Sequence, residues 1–144
     1  MGTVAHPYGL IAGNGRFPVL ALEAARRLNA EIISADSQQV YRHFDIGTAK
    51  PSREELAEIP HHLISVVDPL EDFSAARFGK LADAAIADIH ARGKRAVVVG
   101  GTGLYFKALT EGLAVVPPIP AEVQELVRGE AAGLTTGEMH ERLA

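Results

Sequence analysis

Apolar runs of strand length that alternate with helical segments constrain the fold of this chain more than any other feature of its sequence. The clearest case is the segment 95–106, RAVVVGGTGLYF, in which an apolar run breaks at two glycines and a helix is predicted from near Leu104. Further apolar runs occupy residues 8–12, 30–36 and 62–67. This alternation predicts an α/β fold with a parallel, doubly wound sheet.

Helix signals lie between these runs. Pro18 stands at the start of a helix that reaches Leu28, a position where its missing N–H costs nothing. Ser52, followed three residues later by Glu55, has the pattern of a capping box. The segment 74–92 repeats apolar residues at three- and four-residue spacing, so it is predicted to be an amphipathic helix.

The chain is expected to contain two parts. Residues 1–113 carry the strand and helix alternation and form a nucleotide- or diphosphate-binding α/β core. A proline-rich stretch at 114–120 then leads into polar helical segments, in which Thr135 and Thr136 are predicted to cap a last helix. Residues 114–144 are therefore interpreted as a linker and the start of a helical region.

Composition excludes several functional classes. No apolar stretch approaches the roughly 20 residues needed to cross a bilayer, and the first residues lack the pattern of a secretory signal. The absence of cysteine rules out disulfides and thiolate metal sites. A formal net charge of −4 argues against a self-sufficient RNA binder, although a few side chains could still contact RNA. The expectation is a cytoplasmic protein without a membrane partner.

Three turns are predicted at the carboxyl edge of the sheet, where ligands bind in folds of this kind: 13–18, 36–39 and 100–103. In the second turn, Asp36 could take a proton from an amine, or it could be the N-cap of a following helix. In the third, Thr102 lies among glycines that could either bind an anionic oxygen or allow close packing. These alternatives stay open on the residues alone.

Two further polar groups allow more than one interpretation. His61, His62 and Asp68 could suggest a metal site, but adjacent strand residues point to opposite faces, so a surface histidine and a core histidine are favoured. Lys50 precedes Pro51, and it could contact a phosphate or be a solvated lysine at a turn. No metal-ligating residue is predicted.

Several long motifs together resemble the tRNA dimethylallyltransferases, also called tRNA isopentenyltransferases. They are ISADSQQVYRHFDIGTAKPS, PHHLI, FSAARF and VVVGGTGLYFKALTEGL, in the same order and spacing over residues 20 to about 113. The resemblance implies a P-loop NTPase-like core, with nucleotide- and ATP-binding character. It also implies transfer of a dimethylallyl group from dimethylallyl diphosphate to N6 of the adenosine beside the tRNA anticodon.

The same resemblance implies roles for individual residues. Asp36 would be the general base for N6, and Thr102 would lie in the reaction channel. Ser37, Gln38 and Gln39, together with Lys50, would contact the anticodon loop of tRNA. In the family, the lysine and hydroxyl of the P-loop hold the diphosphate with Mg²⁺.

The chain departs from the family in the first turn and in length. Pro18, Val19 and Leu20 stand where a P-loop has Gly, Lys and Ser or Thr. GLIAGNGRFPVL instead resembles the opening turn of the UDP-2,3-diacylglucosamine pyrophosphatases. A weaker diphosphate site is still expected at Gly13, Asn14, Gly15 and Arg16.

The family continues for roughly as many residues again, so the chain is expected to be truncated relative to it and impaired in activity. Two alternatives are a non-catalytic Rossmann-like nucleotide-binding module and an inactive remnant. The first alternative rests on the spacing of Gly13, Gly15 and Asp36, which approximates a dinucleotide fingerprint.

Overall fold

The computed structural model describes residues 8–12, 17–114, 117 and 119–143, with side chains described from Leu20 onward. The chain divides into two compact units, Met1–Leu113 and Ala114–Ala144. The first unit contains β1 (Tyr8–Ala12), α1 (Phe17–Leu28), β2 (Ala30–Ser34), α2 (Arg53–Glu58), β3 (His61–His62), α3 (Ala75–Ala91), β4 (Arg95–Gly100) and α4 (Gly103–Thr110); the second contains α5 (Ala121–Ala131) and α6 (Thr136–Leu143).

The strands form one parallel sheet in the order β1-β4-β2-β3. Strand β4 lies between β1 and β2, with Ile33 of β2 opposite Val98 of β4. Each crossover between parallel neighbours contains a helix, as the alternation of apolar runs and helical segments predicts. The predicted α/β class is confirmed.

The two faces of the sheet are covered by different helices because successive strand residues point to opposite sides. Ile32 and Val97 pack with buried residues of α1. Ile33 and Val98 pack with α3, whose buried residues include Phe78. The sheet is therefore covered on both faces, which is the doubly wound arrangement.

The helix caps predicted at Ser52 and Thr135 form, and Ser74 provides a further one. The hydroxyl of Ser52 accepts a hydrogen bond from the backbone N–H of Glu55, and the Glu55 side chain accepts one from the Ser52 N–H. Ser74 caps α3 by accepting from the N–H of Arg77. At α6, Thr135 and Glu138 form the same reciprocal pair. Each of these interactions spans three residues, so local sequence is sufficient to predict it.

The predicted strand 62–67 is wrong for most of its length. Strand β3 ends at His62, because Leu63 and Ser65 adopt left-handed φ angles of 63° and 53°. Such angles end a ladder, since extended strands need negative φ. Pairing returns at Val67, which forms an isolated bridge with Tyr41. The apolar character of this run comes from the burial of Leu63 and Val67 rather than from a continuous strand.

The end of β4 passes unusually close to the segment that follows β2. A Cβ built on Gly100 would lie 2.1 Å from the carbonyl oxygen of Ala35, which real side chains do not tolerate. The N–H of Ala35 donates to the carbonyl of Val99 (2.7 Å), and the N–H of Thr102 donates to the carbonyl of Ala35 (3.2 Å). Gly100 is therefore required for close backbone approach, which is the packing interpretation of the glycine turn.

Replacing Gly100 with Ala is expected to lower the free energy of unfolding by about 2 kcal/mol, because two backbone segments must separate to admit the methyl group. Gly103→Ala is the matched control, since nothing lies within 4 Å of a Cβ at that position. Urea unfolding of both variants measures the difference. Equal stability of the two variants would contradict the close approach.

A buried carboxylate lies at the opposite edge of the sheet, near the start of β2. Glu31 is 1% exposed and binds three cationic or titratable partners. His62 Nε2 lies 2.7 Å from its Oε2, Lys94 Nζ donates to its Oε1 (2.9 Å), and Arg92 donates to both of its oxygens. The hydrogen bonds from Arg92 lower the pKa of Glu31 most, burial opposes them, and those from His62 and Lys94 lower the pKa further. Glu31 therefore holds β2, β3 and the turn after α3 together.

Among the helices that the structure describes, none has the length and apolar character needed to cross a bilayer.

Candidate active site

The first component of the site is the turn that follows β2. Oδ1 of Asp36 accepts hydrogen bonds from the N–H groups of Gln38 (2.8 Å) and Gln39 (3.2 Å). The buried side chain of Val40 anchors the turn in the core. Oδ2 of Asp36 has no hydrogen-bond partner among the residues that the structure describes. One oxygen thus caps a turn and not the helix that the sequence suggested, and the other leaves the role of a base open.

The second component is Thr102, which lies at the N-cap position of α4. A threonine there normally accepts from the first turn of its own helix, but this one makes no such bond. Its Oγ1 accepts instead from the N–H of Ser37 (3.0 Å). The hydroxyl of Thr102 donates no hydrogen bond among the described residues, so it can donate to another group.

Asp36 and Thr102 lie at the same edge of the sheet, as expected for residues that follow parallel neighbouring strands. The hydrogen bond between Ser37 and Thr102 joins the two turns directly. Within the part of the chain that the structure describes, the site thus combines a carboxylate oxygen that accepts no hydrogen bond and a hydroxyl that donates none. Such a pair can accept a proton from one group and donate a hydrogen bond to another.

Ser37 and Gln38 have exposed side chains, whereas the side chain of Gln39 is turned to structural partners. The amide oxygen of Gln39 accepts from the hydroxyl of Ser34 (2.9 Å). Its Nε2 donates to the carbonyls of Thr48 (3.2 Å) and Ala49 (3.0 Å). Gln39 therefore fixes the turn against β2 and against the segment 41–50.

Lys50 is neither solvated nor unpaired. Its side chain is 7% exposed, and its Nζ donates to the carbonyl of Tyr41 (2.7 Å) and to Oδ1 of Asp45 (2.9 Å). The interpretation as a solvated lysine is wrong, because the ammonium group closes the segment 41–50 on itself. Its predicted contact with tRNA stays a prediction.

Sequence reasoning missed Tyr105. Its ring is buried, stacks on Phe78 with centroids 4.3 Å apart and packs edge-on against Phe73. Burial raises the pKa of Tyr105, and the charges of Tyr41 and Asp36 raise it further, so the phenol remains protonated near neutral pH. The available signal was its position three residues after Thr102, which places it on the first turn of α4.

The predicted diphosphate-binding residues Gly13, Asn14, Gly15 and Arg16 lie outside the described residues. Among the residues that are described, no three His, Asp or Glu side chains gather in a way that could hold a metal ion. His62 is bound to Glu31, and His61 contacts the carbonyl of Ile59 through Nδ1 (2.7 Å). Burial lowers the pKa of His61. No described residue is therefore assigned to Mg²⁺.

Comparison with known proteins gives a consistent picture. The family model for IPP transferase matches residues 39–144. The tRNA dimethylallyltransferase of Myxococcus xanthus is 55% identical over 125 residues, which are 87% of this chain and 41% of that protein. The tRNA dimethylallyltransferase of Anaeromyxobacter dehalogenans (strain 2CP-C) is 53% identical over 125 residues, with 87% and 42% coverage. The chain thus spans about two-fifths of the length of these curated relatives.

Two solved structures resemble the chain. The tRNA isopentenylpyrophosphate transferase of Bacillus halodurans superposes with a TM-score of 0.72 at 36% identity, covering 94% of this chain and 46% of that one. A eukaryotic dimethylallyltransferase, described as acting on tRNA, superposes with a TM-score of 0.73 at 31% identity, with 83% and 31% coverage. Both support the α/β architecture described above.

Proposed function

Because the chain belongs to the IPP transferase family, we propose that it transfers a dimethylallyl group from dimethylallyl diphosphate to N6 of the adenosine beside the tRNA anticodon. The observation that carries the proposal is the hydrogen-bonded pairing of the Asp36 turn with Thr102 at the carboxyl edge of the sheet. The relatives at 53–55% identity are named tRNA dimethylallyltransferases, and a solved relative is described as acting on tRNA.

The reaction needs a base and a means of stabilising the leaving group. N6 attacks the allylic carbon, the carbon–oxygen bond to the diphosphate breaks, and pyrophosphate leaves with the electron pair. The N6 proton passes to Oδ2 of Asp36, which the two backbone hydrogen bonds on Oδ1 hold in place. The hydroxyl of Thr102, which donates to no described residue, can donate to a nearby anionic oxygen or to a nitrogen of the base.

The tRNA is proposed to approach from the exposed side chains of Ser37 and Gln38. Gln39 contributes indirectly by fixing the turn, because its side-chain amide forms hydrogen bonds with β2 and with the segment 41–50. The diphosphate is proposed to bind at residues 13–16, with Arg16 as the cation of that turn. Mg²⁺ is proposed to accompany the diphosphate and neutralise its charge.

Activity of the 144-residue polypeptide is expected to be slow. Loss of one preorganised contact to a developing anion costs about a hundredfold or more in rate, and here Pro18, Val19 and Leu20 replace the Gly, Lys and hydroxyl residue of a P-loop. Arg16 offsets part of that loss through its forked guanidinium group.

The test is incubation of the purified polypeptide, in excess, with dimethylallyl diphosphate, Mg²⁺ and unmodified tRNA, followed by mass analysis of the nucleosides. The expected result is dimethylallyl adenosine beside the anticodon, formed more slowly than by the Myxococcus xanthus relative assayed in parallel. Thermal melting is recorded with the same ligands. No product, together with stabilisation by NAD or UDP-sugars and not by dimethylallyl diphosphate, would reject the proposal in favour of a nucleotide-binding module.

A further inference from the structure

The segment Tyr41–Lys50, called the 41–50 loop below, is closed by hydrogen bonds between its own residues. Lys50 Nζ closes the loop on the carbonyl of Tyr41, and the hydroxyl of Thr48 donates to the carbonyl of Phe44 (2.6 Å). Gln39 ties the loop to the Asp36 turn through two of its carbonyls. The loop is therefore held in one shape and fixed to the candidate active site.

The backbone dihedral angles of the loop also indicate that its shape is fixed. His43 and Ala49 adopt left-handed φ angles of 63° and 50°, although neither is a glycine. Such conformations are unfavourable for residues with a side chain, and they persist where surrounding contacts determine them. The loop thus has a preformed shape that does not need a ligand to order it.

This preformed loop presents two large apolar side chains to solvent. Ile46 is 97% exposed and Phe44 is 48% exposed. The ring of Phe44 lies 5.8 Å from that of Tyr41, tilted by 44°. The exposed ring of Phe44 offers by itself a flat surface on which a planar group can stack.

The charge on the loop is opposite in sign to that of the whole chain. Arg42 and Lys50 carry two positive charges against one negative charge on Asp45, a net of +1, in a chain of formal net charge −4. Lys50 pairs with Asp45, whereas the exposed guanidinium of Arg42 donates to the carbonyl of Val66 (3.3 Å) and makes no ion pair among the described residues. A cation on the same loop as an exposed ring suits a phosphate next to a base.

We infer that the 41–50 loop is a docking surface for single-stranded RNA, in which Phe44 stacks on an unpaired base and Arg42 contacts the adjoining backbone phosphate. Single-stranded RNA is recognised through aromatic stacking of splayed bases together with cationic contacts to its backbone. Ile46 covers the apolar face of a neighbouring nucleotide. The inference rests on the proposed function and extends it to the nucleotides that flank the modified adenosine.

The exposed apolar area of the loop is large enough for RNA but too small for a folded protein partner. A stable protein interface needs about 800 Å² on each partner, and two apolar side chains on one loop fall well short of that area. A single ring is enough for one stacked base. The exposed Leu70 on the neighbouring turn lies among Asp68, Glu71 and Asp72, whose charges disfavour a phosphate backbone, so it provides a matched control.

The experiment is a titration of the isotope-labelled 144-residue chain with a short anticodon stem-loop RNA, followed by amide NMR. Shift changes are expected at 42–46 and at 36–39. Phe44→Ala should weaken binding about fivefold to a hundredfold and leave the salt dependence of the affinity unchanged, because the ring carries no charge. Arg42→Gln should reduce the slope of log affinity against log salt by about one. Leu70→Ala should bind as the unmodified chain does.

Each outcome has a defined meaning. Shifts at 36–39 without shifts at 42–46, or unchanged affinity in Phe44→Ala, would overturn the docking surface and leave the proposed function intact. Shifts at 42–46 without shifts at 36–39 would support the surface and count against the proposed function. No shift in either region at the highest RNA concentration would overturn both. Size-exclusion chromatography that shows a dimer lost in Phe44→Ala would assign the surface to a second copy instead.

Discussion

Replacing Asp36 with Asn is expected to lower the rate of dimethylallyl transfer by about a hundredfold to ten-thousandfold, the range for removal of a positioned general base. The amide has the shape of the carboxylate, and its oxygen can still accept hydrogen bonds from Gln38 and Gln39. Its nitrogen then stands where Oδ2 was, and an amide nitrogen cannot accept the N6 proton. The rate is measured under single turnover, with enzyme in excess.

Asp68→Asn is the matched control for this prediction. Oδ1 of Asp68 accepts from the N–H of Leu70 (2.9 Å), so this residue also caps a turn with its carboxylate. A purely structural role for Asp36 would make the two variants alike in stability and in rate. We expect Asp68→Asn to transfer the dimethylallyl group at the rate of the unmodified chain. Asp36→Asn should transfer it much more slowly, although its affinity for RNA is unchanged. Turnover in Asp36→Asn at the unmodified rate would reject its assignment as the base.

Replacing Glu31 with Gln is expected to lower the free energy of unfolding by about 3 kcal/mol. Removing one partner of a buried ion pair costs about 3–5 kcal/mol because the remaining charge loses its compensation. The lower end applies here, since the side chains of Arg92 and Lys94 are 40% and 36% exposed and can regain water. Urea unfolding near neutral pH measures the change. Glu58→Gln, which breaks the exposed pair with Arg26, is the control and should leave the midpoint unchanged.

The contribution of Glu31 should also depend on pH. Its pKa is lowered in the folded state, chiefly by Arg92, so folding favours the charged form. This stabilisation is fully present above the unfolded pKa of about 4.3 and is lost as the pH falls below it toward the folded value. The difference in stability between the unmodified chain and Glu31→Gln should therefore shrink below about pH 4. A difference that stays constant down to pH 2 would show that Glu31 is not held ionised.

The features that the sequence predicted correctly depend on near neighbours along the chain. The caps at Ser52 and Thr135 need residues only three positions away, and helix periodicity is visible within two turns. The shared edge of Asp36 and Thr102 follows from a general rule, because parallel strands joined by helices end on one side of the sheet. Strands were predicted less reliably than helices, as the run 62–67 shows. A segment can be apolar because it is buried, without being a strand.

Only the tertiary structure determined which groups meet across the fold. Glu31 finds Arg92 and Lys94 sixty-one and sixty-three residues away because β2 pairs with β4 beside the end of α3. The same adjacency turns the Thr102 hydroxyl toward Ser37 and places the carbonyl of Ala35 against Gly100. By itself, the sequence determined most of the elements, their order and the edge that carries the candidate site. The partners of each polar side chain were decided by strand order, because hydrogen bonds and ion pairs act over a few ångströms in space, whatever the separation along the chain.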